Sequence, residues 1–295
     1  MSRPGRMNNN TRKNIGLRWG LEGRPLRRPK RARARARSLL HCASRPPISW
    51  MFSVSSTLSP APTPPSAVDA FLADFLRALQ RRPRSIAPKY FYDAEGSALF
   101  ERICELPEYY PTRTELAILT RYRREMAAQM GPDVELIEFG AGSLTKVRLL
   151  LDVMEHPRGY MPIDISGEAL GAASAALMAD YPELKVQPVV ADYAAALQLP
   201  SPAPGTRRRI GFFPGSTIGN FTPVEARAFL RQVAPLLHGG ALLLGVDLVK
   251  DPAILHAAYS DSQGVTAAFN LNLLARANRE LDADFDLSAF DHCAF

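Results

Sequence analysis

The stretch Val134-Glu135-Leu136-Ile137-Glu138-Phe139-Gly140-Ala141-Gly142-Ser143-Leu144-Thr145-Lys146 decides the fold. An apolar strand runs into an acidic residue, a Gly-x-Gly turn and the opening of a helix. Such a turn lets a ligand approach bare backbone, and the helix start offers free N–H groups to an anionic group. A dinucleotide fingerprint, Gly-x-Gly-x-x-Gly, would need glycine at position 145, where this chain has Thr145. An ordinary tight strand-to-helix connection would produce the same local pattern.

Outward from that turn the pattern alternates. Strands are expected at 134–139, 158–163, 185–190, 209–214 and 241–248, and helices at 145–155, 167–180 and 223–237. Strands alternating with helices imply right-handed crossovers and an α/β fold with a parallel sheet covered on both faces. Upstream, Ser66-Ala67-Val68-Asp69 reads as a capping box, with Phe71, Phe75, Leu76 and Leu79 following at helical spacing. Further helices are expected at Ser97–Leu106 and Arg113–Met130. After residue 250 the alternation stops. Pro252–Tyr259 and Gly264–Leu281 read as helices inserted after the fifth strand. The expected organisation is a basic disordered extension with a Pro-rich linker (1–65), a body (66–250) and the start of a helical substrate-binding unit (251–295).

Charge is distributed unevenly. Residues 1–50 hold 14 Lys and Arg against one acid, Glu22, leaving −6 for residues 51–295 out of the overall +7. The body therefore asks for no polyanionic partner. The basic arm admits a nucleic-acid tail, a targeting peptide or a membrane patch, but low complexity such as Arg31-Ala32-Arg33-Ala34-Arg35 favours plain disorder or upstream sequence before a later start at Met51. Cys42, Cys104 and Cys293 show no C-x-x-C spacing, which fits a reducing compartment such as the cytoplasm. The five histidines form no ligand pair at helical spacing, so no metal site is expected. No apolar run approaches the ~20 residues of a membrane span.

A strand ending in Glu-x-Gly-x-Gly resembles the S-adenosylmethionine (SAM) turn of class I methyltransferases. Ligands of open α/β sheets bind at the carboxyl ends of the strands. Asp164 lies 24 residues after Gly140, at the end of the second strand, where a carboxylate can accept both ribose hydroxyls; a helix cap or simple loop acid is the plainer alternative. Asp192-Tyr193 follows the third strand and suits an adenine amine and its ring; taken singly, Asp192 equally suits the cap of a short helix. Glu138, Asp164 and Asp192 together suit a ligand carrying a sulfonium. Lys146 sits in the first helical turn, an unfavourable place for a cation unless it meets an anion such as the carboxylate of SAM; a solvent-facing lysine is the plainer alternative. After the fourth strand, Pro214-Gly215-Ser216-Thr217-Ile218-Gly219-Asn220 forms a polar loop. There Asn220 either faces the acceptor or caps the next helix.

Larger blocks add a more specific likeness. Lys89-Tyr90-Phe91-Tyr92-Asp93, Gly96-Ser97-Ala98-Leu99-Phe100, Leu106-Pro107-Glu108-Tyr109-Tyr110-Pro111-Thr112-Arg113-Thr114-Glu115 and Gly264-Val265-Thr266-Ala267-Ala268-Phe269-Asn270 resemble the histidine-specific methyltransferases of ergothioneine biosynthesis, as does the 214–220 loop. The likeness covers about 69–295. It implies a class I SAM-dependent methyltransferase fold (Rossmann-like parallel sheet) and transfer of methyl groups to the α-amine of L-histidine, giving hercynine. It implies SAM held by Tyr92, Gly140, Lys146, Asp164, Asp192 and Tyr193, and an amino-acid head group held by Tyr109, Asn220 and Tyr259. Tyr193 stands where the family often has phenylalanine. A related fungal branch methylates a prenylated tryptophan.

Class I sheets normally have seven strands, and five are counted here. The resemblance implies that the acidic and serine residues reading the imidazole lie beyond Phe295. A fragment or truncated reading frame of such a methyltransferase is therefore expected, with a SAM-binding remnant or partner-binding module as the non-enzymatic alternative. A nucleotide-dependent oxidoreductase is weakened by Thr145, and an RNA methyltransferase by the acidic body. A monomer acting on a small amino acid, with neither membrane nor nucleic acid as partner, is the expectation.

Overall fold

The computed structural model describes residues 15–17, 66–237 and 239–294. The expectations for the rest of 1–65, including Cys42 and Met51, lie outside the described residues. Helix α1 (Ala67–Gln80) starts at the expected box: Ser66 Oγ accepts the Asp69 N–H, and the Asp69 carboxylate accepts the Ser66 N–H. Phe71 and Phe75 are buried, but Leu76 is exposed on the opposite flank. A 3-10 turn (Pro88–Phe91) leads to α2 (Ala94–Glu105), which the Asp93 carboxylate caps through Gly96 N. Helix α3 (Tyr110–Met130) starts earlier than its polar pattern suggests, because Pro111 supplies a preset φ in its first turn.

The sheet consists of β2 (Val134–Phe139), β3 (Gly159–Asp164), β4 (Lys185–Val186), β5 (Val189–Val190), β6 (Arg208–Phe213) and β7 (Ala241–Leu244). Its order is β4-β3-β2-β6-β7, with β5 also on β3, and every pairing is parallel. Between the strands run α4 (Thr145–Leu151), α5 (Gly167–Asp180) and α6 (Pro223–Leu236). One core packs Val134, Leu136, Tyr160, Ile210 and Phe212 against α3, α4 and α5, and the other packs Ile137, Phe139, Met161, Ile163 and Phe213 against α6.

Three elements are shorter than their sequence pattern. The third strand is split into β4 and β5 without a change of register, where Pro162 and Pro188 stand side by side and neither has an N–H for the ladder. The strand expected over 241–248 leaves the sheet at Gly245, whose N–H still reaches the Phe213 carbonyl at 2.9 Å. Asp247 N then turns to Ser216 Oγ. Helix α4 ends before His156, which has φ 48°, and Pro157.

Beyond the sheet lie α7 (Pro252–Tyr259) and α8 (Val265–Glu280). Their buried residues Ala258, Val265, Phe269, Leu273 and Leu274 share one core with Phe71, Phe75, Phe91, Leu99 and Ile103 of the N-terminal helices. The chain's two helical ends thus form a single layer. Strand β1 (Ile15–Leu17), within the arm expected to be disordered, pairs antiparallel with β8 (His292–Ala294). Helix α3 joins the parts: Tyr109 and Tyr110 at its start pack into the helical layer, and Leu119, Ala127 and Met130 pack onto the sheet. Among the described residues, no helix is long and apolar enough to cross a membrane.

Candidate active site at the carboxyl ends of the strands

Strand order reverses between β2 and β6, so the carboxyl ends of these two strands flank a crevice. The Gly140-Ala141-Gly142 turn closes its floor. Gly140 N and Ala141 N donate to the Ile163 carbonyl at 2.9 and 3.1 Å, stitching the turn to the end of β3. Gly140 has φ 73° and Gly142 φ 54°, conformations that suit residues without a Cβ. Leu144, at φ 57°, is held left-handed by burial of its side chain.

Asp164 ends β3 beside this turn. Its Oδ2 accepts Gly142 N at 3.3 Å and its Oδ1 accepts Ser166 N at 3.0 Å. The carboxylate is thus fixed by backbone donors at the mouth of the crevice, and it doubles as the loop acid of the plainer reading. Tyr193 packs across from Gly140: a Cβ there would meet the Tyr193 ring at 3.4 Å. The ring itself rests edge-on against Phe213 and Phe229. Asp192 accepts the Ala194 N–H through Oδ1, while its Oδ2 pairs with Lys89 Nζ at 2.8 Å. Glu138 lies inside β2, buried, with Oε2 accepting the Tyr160 hydroxyl. Burial pushes its carboxyl up to about 8, with Glu115 and Asp164 adding to the rise; the Tyr160 hydrogen bond and Lys146 oppose it.

Lys146 lies in the first turn of α4, and its Nζ is 2.6 Å from Glu115 Oε2. The Glu115 carboxylate also accepts Gly215 N. Sequence reasoning gave Glu115 no role, nor Lys89; both pairings depend on long-range packing.

The acceptor candidates lie in or beside the helical layer. The Tyr109 and Tyr259 rings meet edge to face, with centroids 5.8 Å apart and planes at 88°. Tyr109 precedes Tyr110, the first residue of α3, and Tyr259 ends α7. The Tyr109 and Tyr259 hydroxyls lie close enough to act on one another electrostatically. Tyr92 packs edge-on against Phe100 and Phe269 and lies within electrostatic reach of Asp164, Tyr193 and Tyr259, which joins the layer to the crevice. Burial raises all four tyrosine hydroxyls (92, 109, 193 and 259), that of Tyr259 to about 12. All four stay neutral and able to donate near neutral pH. Asn220 ends a 3-10 turn (Thr217–Asn220) and is exposed. It does not cap α6; Thr222 does, with Glu225 completing a capping box.

These parts fit a nucleoside carrying an amino-acid tail. Gly140 in the turn faces an aromatic ring, a carboxylate is fixed at the end of β3, and a cation in the first turn of α4 stands beside Gly215. Among the described residues no three His, Cys, Asp or Glu side chains come together as ion ligands. The sheet order and this crevice define a class I, SAM-dependent methyltransferase fold. The family of histidine-specific, SAM-dependent methyltransferases matches residues 71–295, and the chain belongs to it. It is 48% identical over 233 residues to the histidine N-alpha-methyltransferase of Mycolicibacterium smegmatis, covering 78% of this chain and 71% of that protein. The protein of the same name in Mycobacterium tuberculosis is 44% identical, with 76% and 70% covered. A 4-dimethylallyltryptophan N-methyltransferase of Epichloe festucae is 28% identical, with 72% and 67% covered.

Proposed function

We propose that this chain transfers methyl groups from SAM to the α-amine of L-histidine, forming its trimethylated betaine. The observation that carries the reading is the Tyr109–Tyr259 pair, joined through Tyr92 to the crevice that holds Asp164 and Tyr193. The names of the two mycobacterial relatives support histidine as acceptor.

Bound SAM supplies an electrophilic methyl group on a sulfonium. In the proposed arrangement Asp164 takes the ribose hydroxyls, Asp192 and Tyr193 the adenine, and Gly140 admits the donor to the backbone. Lys146 meets its carboxylate, and Tyr92 walls the donor from the helical side. Tyr109, Asn220 and Tyr259 hold the amino-acid head group so that its nitrogen lies in line with the S–CH3 bond. That bond breaks as the N–CH3 bond forms. The amine gives up its proton before each attack, because an ammonium has no lone pair. The tyrosines are held neutral and serve as donors, so the proton leaves through water.

The charge of −6 on residues 51–295 supports a small-molecule acceptor over nucleic acid, and a monomer is sufficient for a site built from one chain. Free thiols at Cys104 and Cys293 support a reducing compartment, the cytoplasm. We divide the chain into the 1–65 arm, the 66–250 body and the 251–295 substrate unit, with α1 and α2 packed beneath the last. Mass spectrometry of histidine incubated with SAM and the protein should show mono-, di- and trimethylated products. Asn220→Ala should raise KM for histidine about tenfold, the cost of one hydrogen bond to a charged group. Unchanged histidine binding and turnover in that variant would refute its role. Uptake of S-adenosylhomocysteine with no product from histidine would favour a SAM-binding module instead.

A further inference from the structure

Glu115 stands where the donor crevice, the 214–220 loop and the helical layer meet. It projects from α3, the helix that joins layer to sheet. Its oxygens accept Gly215 N at 2.7 and 3.0 Å, and Oε2 lies 2.6 Å from Lys146 Nζ. The backbone is shaped to admit it: a Cβ on Gly245 would lie 2.2 Å from Glu115 Oε1. The pair is sheltered but open, with side-chain exposures of 16% for Glu115 and 23% for Lys146. Glu115 also lies close enough to act electrostatically on Glu138, buried in β2.

The amino-acid tail of SAM is a zwitterion. A solitary lysine attracts its carboxylate and repels the ammonium one carbon away. Adjacent opposite charges on the protein match both ends, and each contact is a charge-assisted hydrogen bond. We propose that Glu115 is a donor-binding residue that receives the α-ammonium of SAM, while Lys146 receives its carboxylate. The inference rests on the assignment of Lys146 made above. Because the same carboxylate holds Gly215, it also fixes the start of the loop that carries Asn220.

Calorimetry on the full chain with three probes tests this. S-adenosylhomocysteine carries both charges, its deamino analogue carries only the carboxylate, and 5′-methylthioadenosine carries neither. Glu115→Gln keeps an acceptor for Gly215 N and loses the charge. It should weaken S-adenosylhomocysteine about tenfold while leaving the other two within about twofold. Unchanged 5′-methylthioadenosine binding serves as the check that the variant is folded. Lys146→Met should weaken both carboxylate ligands and spare 5′-methylthioadenosine. The proposal is overturned if Glu115→Gln leaves S-adenosylhomocysteine unchanged or tighter, or weakens it and the deamino analogue equally. If Lys146→Met leaves both carboxylate ligands unchanged, the assignment of Lys146 falls and the paired-charge proposal with it. Loss in Lys146→Met beside an unchanged Glu115→Gln overturns the proposal alone.

Discussion

Glu138 shows how burial in the sheet reshapes the chemistry of a single side chain. Buried in β2 against Tyr160, its carboxyl is pushed from an ordinary 4.5 up to about 8. The folded protein therefore holds a proton that the unfolded chain would release. The stability this contributes is whole below about pH 4.5 and is lost progressively as pH rises through about 8. Glu138→Gln keeps an acceptor for the Tyr160 hydroxyl and cannot ionise. Its melting temperature should fall less than that of the parent between about pH 5 and pH 8. Parallel pH profiles for the two proteins would contradict this account. At this scale the sequence was partly legible. The positions of Gly140, Lys146, Asp164, Asp192 and Tyr193 follow from strand ends and spacing, and the structure brings them round one crevice. Tyr109 and Tyr259 stood out only through the family likeness, since an aromatic on a helix flank reads as core. Glu115 and Lys89 could not be assigned, because each meets its partner across distant sequence: Glu115 reaches Gly215, and Lys89 reaches Asp192.

Among the elements, the link between the Pro88–Phe91 turn and α2 matters most for the site, because Tyr92 sits between them. Gly96 permits it: a Cβ there would lie 1.8 Å from the Phe91 carbonyl oxygen, a backbone atom that cannot swing away. Gly96→Ala should push the turn off α2 and cost about 1–3 kcal/mol of stability, as overpacking does. Chemical denaturation would show this as a lower midpoint with an unchanged slope, and a midpoint equal to the parent's would count against it. The glycine belongs to a recognisable block, but its reason is visible only in three dimensions. Strand and helix order was readable from periodicity alone. The ends were not: Pro162 beside Pro188 splits an edge strand, and the departure at Gly245 depends on Ser216 and Phe213 from a neighbouring loop and strand.

As a whole, the molecule is a parallel sheet and a helical layer joined by α3, about 30 Å long for its 21 residues. The sequence suggested a helical insertion late in the chain. It did not show that α1 and α2 would share that insertion's core, because amphipathic helices carry no label for their partners. A donor lodged between sheet and layer would touch both and bind only the folded state. Saturation at a hundredfold excess over Kd should therefore raise stability by about 2.7 kcal/mol, read as a higher melting temperature. The central claim is that the crevice at the ends of β2 and β3 binds SAM and its demethylated product. Titration calorimetry of S-adenosylhomocysteine into the parent chain and into Asp164→Ala tests it directly. A single site in the parent, weakened at least about tenfold in the variant, is the predicted result. No binding to the folded parent, or equal binding to both, would contradict it.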